Sequence, residues 1–328
     1  MKKINNKKIT SCQKDTVNFL SFLKISDFTF PSLYSEKYFE WKISHNPFGK
    51  SFCYLRCVED EPVAIASITA KPLNKNLELG DFLAELGDTH THPNFQKQGH
   101  FGQVGSQVIA DFNKHSNDTA LIFGIPNENA VHGWQSRCGC QLLESLNINE
   151  YVLKHIFSYR ISLTSSLKEL TSDINVMNLV NLVWQKSYKN RTALIQKNSD
   201  WWRWRYDQST ESYRTFSLRC DKQLENVYLV AKISNKSIFS YIDICDVVGE
   251  TEDLELDILK EFIKKFKSPF TKIRVWAKEG SKVNSLLEKY KFSFSRKINF
   301  VLFKNTGYKA LREKQLNFTL DLGDTDNT

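Results

Sequence analysis

Two stretches of this chain repeat one another at a fixed spacing, and that restricts the folds open to it. "WK" begins at Trp41 and "WR" at Trp204, and each is followed by "LRC", starting at Leu55 and at Leu218. Each leucine follows its tryptophan by the same 14 residues, and acidic turn residues and a β-rich run come next in both. Later, "KIRVWA" (Lys272 to Ala277) and "NSLLEKYKFSF" (Asn284 to Phe294) echo a strand and a helix near Phe123 and Trp134. One order of elements met twice in one chain is the mark of a duplicated fold. The 328 residues are long for one core and natural for two. The predicted domains are 1–160 and 161–328.

Periodicity fills in the first copy. Helical patterns cover Asp15 to Phe22 and Ser35 to Ile43, and two β-rich runs flank an acidic turn at Glu59 to Pro62. A strand, Asp81 to Thr91, leads into "HPNFQKQGHFG", His92 to Gly102. Phe101, Val104, Val108, Ile109 and Phe112 then recur at helical spacing. A short buried strand lies in Thr119 to Asn127, and "AVHGWQSRCG" reads as a helix ending at Gly139. Asp173 to Tyr188 opens the second copy. The fold class is α/β (α+β): a mixed central sheet with flanking helices, present twice.

Composition excludes several classes. No run of about 18 apolar residues offers a membrane span, and the basic N-terminus lacks the apolar stretch of a signal peptide. A cytoplasmic protein is expected. The net charge of +8 suits an anionic partner. The densest basic run, Lys260 to Lys267, alternates with apolar residues and reads as the solvated face of a helix, so no nucleic acid is expected. The seven cysteines lack a second pair at zinc-ligand spacing. They read as buried free thiols, and no metal is expected.

The chemistry concentrates in the loop that opens at His92. Backbone N–H groups of a tight loop, continued by the first turn of a helix, form an anion site. Gly99, Gly102 and Gly105 let the backbone come close, and Lys97 adds a charge. The glycine spacing is not that of a Rossmann dinucleotide site.

"THPNFQKQGHFGQV" resembles the signature of the GNAT acyltransferases, with Gln96 and Gly99 at its first two fixed positions. Phe101 stands where that signature has a small residue, with Gly102 next to it. The resemblance implies acyl-CoA (acetyl-CoA or a short hydroxyacyl-CoA) as co-substrate, its pyrophosphate held by Gln96, Lys97, Gln98, Gly99, His100, Phe101 and Gly102. "FGIPNEN" resembles the next strand and helix of that fold, which implies Asn127 and Asn129 at the pantetheine and the backbone around Thr91 at the acyl carbonyl. "GDTHTHP", "FGIPNEN" and the terminal "LDLGDTD" together are similar to a two-domain branch tied to bacterial surface-polysaccharide synthesis. Some of that branch acylate the amine of a nucleotide-linked amino sugar. The expected function is therefore an N-acyltransferase acting on such a sugar, for example a dTDP-3-amino-3,6-dideoxyhexose.

The second copy is a degenerate one. Its counterpart of the loop, "DICDVVGETEDLELD", has one glycine, Gly249, among Glu250, Glu252, Asp253 and Glu255. Carboxylates at a helix N-terminus repel a pyrophosphate, so one cofactor per chain is expected, with the second domain shaping the acceptor site. Attack of a neutral amine on a thioester needs a base and donors for the developing oxyanion. Simple strand alternation puts Leu83, Glu85, Gly87, Thr89 and Thr91 on one face, and Asp88 and His90 on the other. Glu85, Asp88 and His92 are the catalytic candidates. The tyrosine acid common in GNAT enzymes has no counterpart, since Trp134 and Gln135 stand there, so the leaving thiolate either lacks that donor or finds another, such as His132. In "DWWRWRY", Trp201, Trp202, Arg203 and Arg205 are the acceptor candidates, docked between the two domains. Two alternatives stay open: aminoacyl transfer from charged tRNA in peptidoglycan synthesis, and a non-catalytic acyl-CoA-binding protein. A homodimer is compatible with the sequence.

Overall fold

A computed structural model describes residues 4–9, 36–79, 82–117, 120–154, 166–171, 173–187, 189, 192–221, 223–305, 308–309, 311 and 318–325. The helix expected at Asp15 to Phe22 lies outside these residues. Chain contacts define two units. The first holds residues 1–144, 208–210 and 299–316, and the second holds 145–207, 211–298 and 317–328. A single cut at 160 therefore does not separate them.

The first unit is built on the strands β1 (Ile4–Ile9), β2 (Phe52–Val58), β3 (Glu61–Lys71), β4 (Leu83–Thr91), β5 (Leu121–Gly124), β6 (Cys140–Leu142) and β15 (Val301–Phe303). They form a seven-stranded mixed sheet in the order β1-β2-β3-β4-β5-β15-β6. The helix α1 (Glu36–Phe39) runs into a π-turn, Glu40–Ser44, on one face. There Phe39 and Ile43 pack with Cys53, Leu55, Cys57 and Ile65. On the other face lie α2 (His100–His115) and α3 (Glu128–Arg137). Val104, Val108, Ile109, Phe112 and Trp134 pack there against Ala64, Ala66, Ile68, Ala84 and Leu86. The predicted periodicity of α2 is thus its buried stripe.

The second unit repeats the plan. Its strands are β7 (Ile148–Lys154), β8 (Leu167–Leu170), β9 (Tyr213–Cys220), β10 (Gln223–Leu224), β11 (Val227–Lys236), β12 (Phe239–Gly249), β13 (Thr271–Lys278) and β14 (Ser293–Lys297). The path through the sheet is β10-β9-β11-β12-β13-β7-β14, with β8 paired to β9. The helices are α4 (Asp173–Lys186), α5 (Ser199–Trp202), α6 (Glu252–Phe266) and α7 (Lys282–Lys289). β4 pairs parallel with β5, and β12 with β13, and a helix connects each pair. Trp41 and Trp204 are both buried in π-turns, ahead of β2 and β9. The 14-residue repeat is therefore a structural one. The first sheet also takes β15 from beyond the strands of the second unit, and the second sheet places β7, its earliest strand in sequence, between β13 and β14.

The antiparallel pair next to each parallel pair carries a matching irregularity. The register of β3 on β4 shifts between Ile65 and Ser67, and that of β11 on β12 between Val230 and Ala231. Each bulge carries an aspartate on a buried lysine: Asp88 with Lys42 at 2.7 Å, and Asp246 with Lys197 at 2.6 Å. A bulge adds one residue and turns the strand beyond it.

Candidate active site

Pairing of β4 with β5 runs only from Leu83↔Leu121 to Leu86↔Gly124. Beyond Leu86, β4 continues through Gly87 to Thr91 with no strand on its β5 side among the described residues. There the ladder between the two parallel strands has ended, and the loop from His92 follows directly on β4. An extended amide-bearing chain laid along that edge would complete the ladder.

The bulge corrects the alternation expected from sequence. Ser67 pairs with Gly87 and Ile65 with His90, while Ala64 pairs with Thr91. Ile65 belongs to the α1 face and Ala64 to the α2 face. Glu85, Gly87, Asp88 and His90 therefore share the α1 face, and Thr89 and Thr91 turn to the other.

The three catalytic candidates are held as follows. Glu85 is buried, not a surface carboxylate, and its Oε2 lies 2.9 Å from Lys71 Nζ, itself fully buried. It also stands in the paired part of β4, opposite Phe123. Asp88, in the left-handed region at φ 44°, accepts from Lys42 Nζ at 2.7 Å and Ser67 Oγ at 2.8 Å. His92 caps the turn Pro93–Phe95, its Nδ1 accepting from the Asn94 N–H at 3.2 Å.

The loop after β4 leads into the N-terminus of α2. Gln96 donates to the Thr91 carbonyl at 3.4 Å and Gln98 to that of Asn94 at 3.2 Å, which fixes the backbone rather than a ligand. Lys97 is exposed, with φ 63°. Gly99 is the N-cap of α2 at φ 84°, with nothing within 4 Å of where a Cβ would stand. The first N–H groups of α2 point out of the helix end, where the dipole favours negative charge. Two guanidiniums that sequence reading missed flank this end. Arg56 and Arg137 line an open cleft of about 580 Å³ with Gly99, Gly102 and Gln103. Arg56 Nε donates to Nδ1 of His100 at 2.9 Å. Burial, and then Arg56 itself, push the His100 imidazole below its usual range, so it stays a neutral acceptor that aims the arginine.

Several motif residues serve packing instead. A Cβ at Gly102 would lie 2.7 Å from Cβ of Arg137, and one at Gly105 would lie 2.9 Å from Cys138 Sγ and 3.1 Å from Trp134. These two glycines let α2 and α3 approach. Gly105→Val is accordingly expected to destabilise the first unit by about 1–3 kcal/mol by overpacking, measured by urea unfolding, with acyl-CoA affinity unchanged in the folded fraction. The Phe101 ring lies on Trp134 at 5.2 Å, and a Cβ at Gly133 would be 2.6 Å from it. The large residue at this position of the signature is accommodated by that glycine. His100 is buried beside Phe95. Asn127 caps α3, its Oδ1 accepting from the Ala130 N–H at 3.0 Å, and Asn129 and His132 are exposed on that helix.

The acceptor candidates are corrected by burial. Trp201, Trp202 and Arg205 are core residues of the second unit. Trp202 Nε1 donates to Thr215 Oγ1 at 3.1 Å. Arg205 donates to the carbonyls of Gly323 and Thr325 at 3.0 and 2.8 Å, and to Tyr213 Oη at 2.8 Å. Arg203 is the exposed member of the four.

In the second unit, the chain's own C-terminal segment lies against β12. Phe318 to Leu322 line a cavity of about 210 Å³ with Ile244, Val247, Val275 and Leu259. A Cβ at Gly323 would lie 3.0 Å from the Cys245 carbonyl, in the bulge. Glu255 turns back onto the Gly249 N–H at 3.0 Å, so a carboxylate of the protein occupies that helix end. Burial pushes the thiols of Cys138, Cys140 and Cys245 up to about 11, 12 and 12, which leaves them unreactive. No cluster of metal-ligating side chains occurs among the described residues, and no helix there is long and apolar enough to cross a membrane.

No family model and no curated relative matches this chain. Solved structures do. A probable N-acyltransferase of unknown function from Enterococcus faecalis is similar at 14% identity over 96% of this chain and 75% of its own, with a TM-score of 0.66. A GCN5-related N-acetyltransferase from Anabaena variabilis is similar at 13% identity over 91% and 72%, with a TM-score of 0.62. A tandem GNAT protein from the clavulanic acid biosynthesis pathway is similar at 12% identity over 93% and 99%, also at 0.62. At such identities the likeness is one of fold: this chain carries the GNAT acyltransferase fold twice in one polypeptide.

Proposed function

We propose that this protein is an acyl-CoA-dependent N-acyltransferase with one working site, in its first unit. The observation that carries the reading is the opening between β4 and β5 beside an anion cradle at the N-terminus of α2. Gly99, Lys97, Arg56 and Arg137 suit the phosphates of coenzyme A, and the stretch of β4 from Gly87 to Thr91, beyond its pairing with β5, suits its pantetheine amides. When bound, acyl-CoA supplies an activated acyl carbon with a thiol leaving group. The chain's part is to orient that carbon along β4, to donate backbone N–H groups to its oxygen, and to accept the proton of the incoming amine.

The acceptor we propose is the amine of a nucleotide-linked amino sugar. It is supported by the sequence resemblance and by the net charge of +8, with exposed Arg203 as the remaining phosphate-binding candidate of its segment. The test is thiol release from acetyl-CoA with a panel of UDP- and dTDP-linked 3- and 4-amino sugars. Acceptor-dependent release is expected. Equal turnover of the free amino sugars would remove the nucleotide from the reading.

A further inference from the structure

Three carboxylate and imidazole groups singled out by the sequence each have a place in the structure. Glu85 pairs with Lys71, Asp88 accepts from Lys42 and Ser67, and His92 caps its own turn. The bulge brings a fourth group into place. His90 stands opposite Ile65, so it shares the face of Asp88 and Gly87, on the stretch of β4 that has left β5. It is half-buried, one residue before Thr91. The titratable groups on this face are Asp88 and Glu85 on its own strand, Lys71 on β3 against Glu85, and Lys42 and Tyr38 on the α1 side, with Tyr38 Oη 3.3 Å from Lys42 Nζ. Burial holds the imidazole below its usual range, against an upward pull from Asp88. A neutral imidazole has a lone pair to offer at pH 7.

We propose that His90 is the general base of the acyl transfer and that Asp88, fixed by Lys42 and Ser67, is the positioning residue that stabilises the imidazolium. The inference rests on the acyltransferase reading of the first unit. A C–N bond forms from the amine lone pair to the acyl carbon as the C–S bond breaks. The imidazole of His90 takes the proton lost by the amine nitrogen and returns it to the departing sulfur, so the enzyme ends as it began. Glu85 has no part in this step.

Two measurements on the full chain test it. The first needs no turnover: NMR titration of the histidine imidazoles, with His90→Gln for assignment. His90 is expected to titrate below the ordinary value of about 6.5, and lower still in Asp88→Asn, which removes the upward pull. Titration at or above the ordinary value would overturn the proposal. The second is steady-state kinetics with acetyl-CoA and the amino-sugar panel. His90→Gln is expected to lose about 100-fold or more in kcat/KM together with the acid limb of its pH profile, while calorimetric affinity for acetyl-CoA is unchanged. A folded His90→Gln that keeps the wild-type kcat/KM and acid limb overturns this inference alone. A wild-type protein that binds acetyl-CoA and releases no thiol with any amine overturns the acyltransferase reading, and the inference with it.

Discussion

Lys197→Met is expected to cost the second unit about 3–5 kcal/mol, the range found when one partner of a buried ion pair is removed. Lys197 Nζ lies 2.6, 2.7 and 2.9 Å from Asp246, Asp321 and Asp324, and its side chain is 2% exposed. A methionine fills the space and leaves three carboxylates facing one another. Asp321 and Asp324 belong to the C-terminal segment, so the lysine also fastens that segment against the bulge of β12. The charges in the cluster are uneven. Burial pushes Asp324 up to about 7, Asp246 and Asp321 adding to it, and Lys197 only partly offsets this. Its folded value stands above its unfolded one, so the stability it contributes is full at acid pH and is lost as pH rises toward about 7. Asp321 runs the other way: burial would raise it, but Lys189 and Lys197 hold it below its usual range, and its contribution is lost in acid. Urea unfolding of wild type, Lys197→Met and Asp324→Asn between pH 5 and 8 is the measurement. Asp324→Asn should flatten the decline toward pH 7. A Lys197→Met protein within about 1 kcal/mol of wild type would show that the cluster does not hold the unit together.

Gly99→Asp is expected to abolish acyl-CoA binding while the protein stays folded. Gly99 has φ 84°, a conformation that Asp and Asn tolerate better than other side chains, and the space beside it is open. The new carboxylate would stand in the anion cradle. At about 4 Å and an effective dielectric constant near 20, two like charges repel by about 4 kcal/mol. With solvent screening at this open site, a loss of at least about 100-fold is expected. Gly99→Asn has the same shape without the charge and should bind within about tenfold of wild type. Equal losses in the two variants would mean that shape, not charge, governs the loop.

The duplicated fold was legible because a buried tryptophan and the strand after it must recur whenever the same π-turn is packed the same way. The loop before α2 was legible because only a glycine reads comfortably at its left-handed N-cap. The faces of β4 were not. Alternation has a period of two until one extra residue is inserted, and nothing in "LGDTHT" marks Asp88 as that residue. The roles of Gly102, Gly105 and Gly133 depend on which side chains of a facing helix lean over them. "DWWRWRY" shows the same limit from the other side. Aromatic and basic residues make both ligand platforms and cores, and the partners that decide it, Gly323 and Thr325, lie more than a hundred residues away. The packing of residues 318–325 against β12 rests on contacts equally remote in sequence.

Titration calorimetry of the whole chain with acetyl-CoA tests the account most directly. One site per chain is expected, lost in Gly99→Asp, kept in Gly99→Asn, and unchanged when Glu250, Glu252 and Asp253 are made neutral. Two sites per chain, or undiminished binding by a folded Gly99→Asp protein, would contradict a single cofactor held in the first unit.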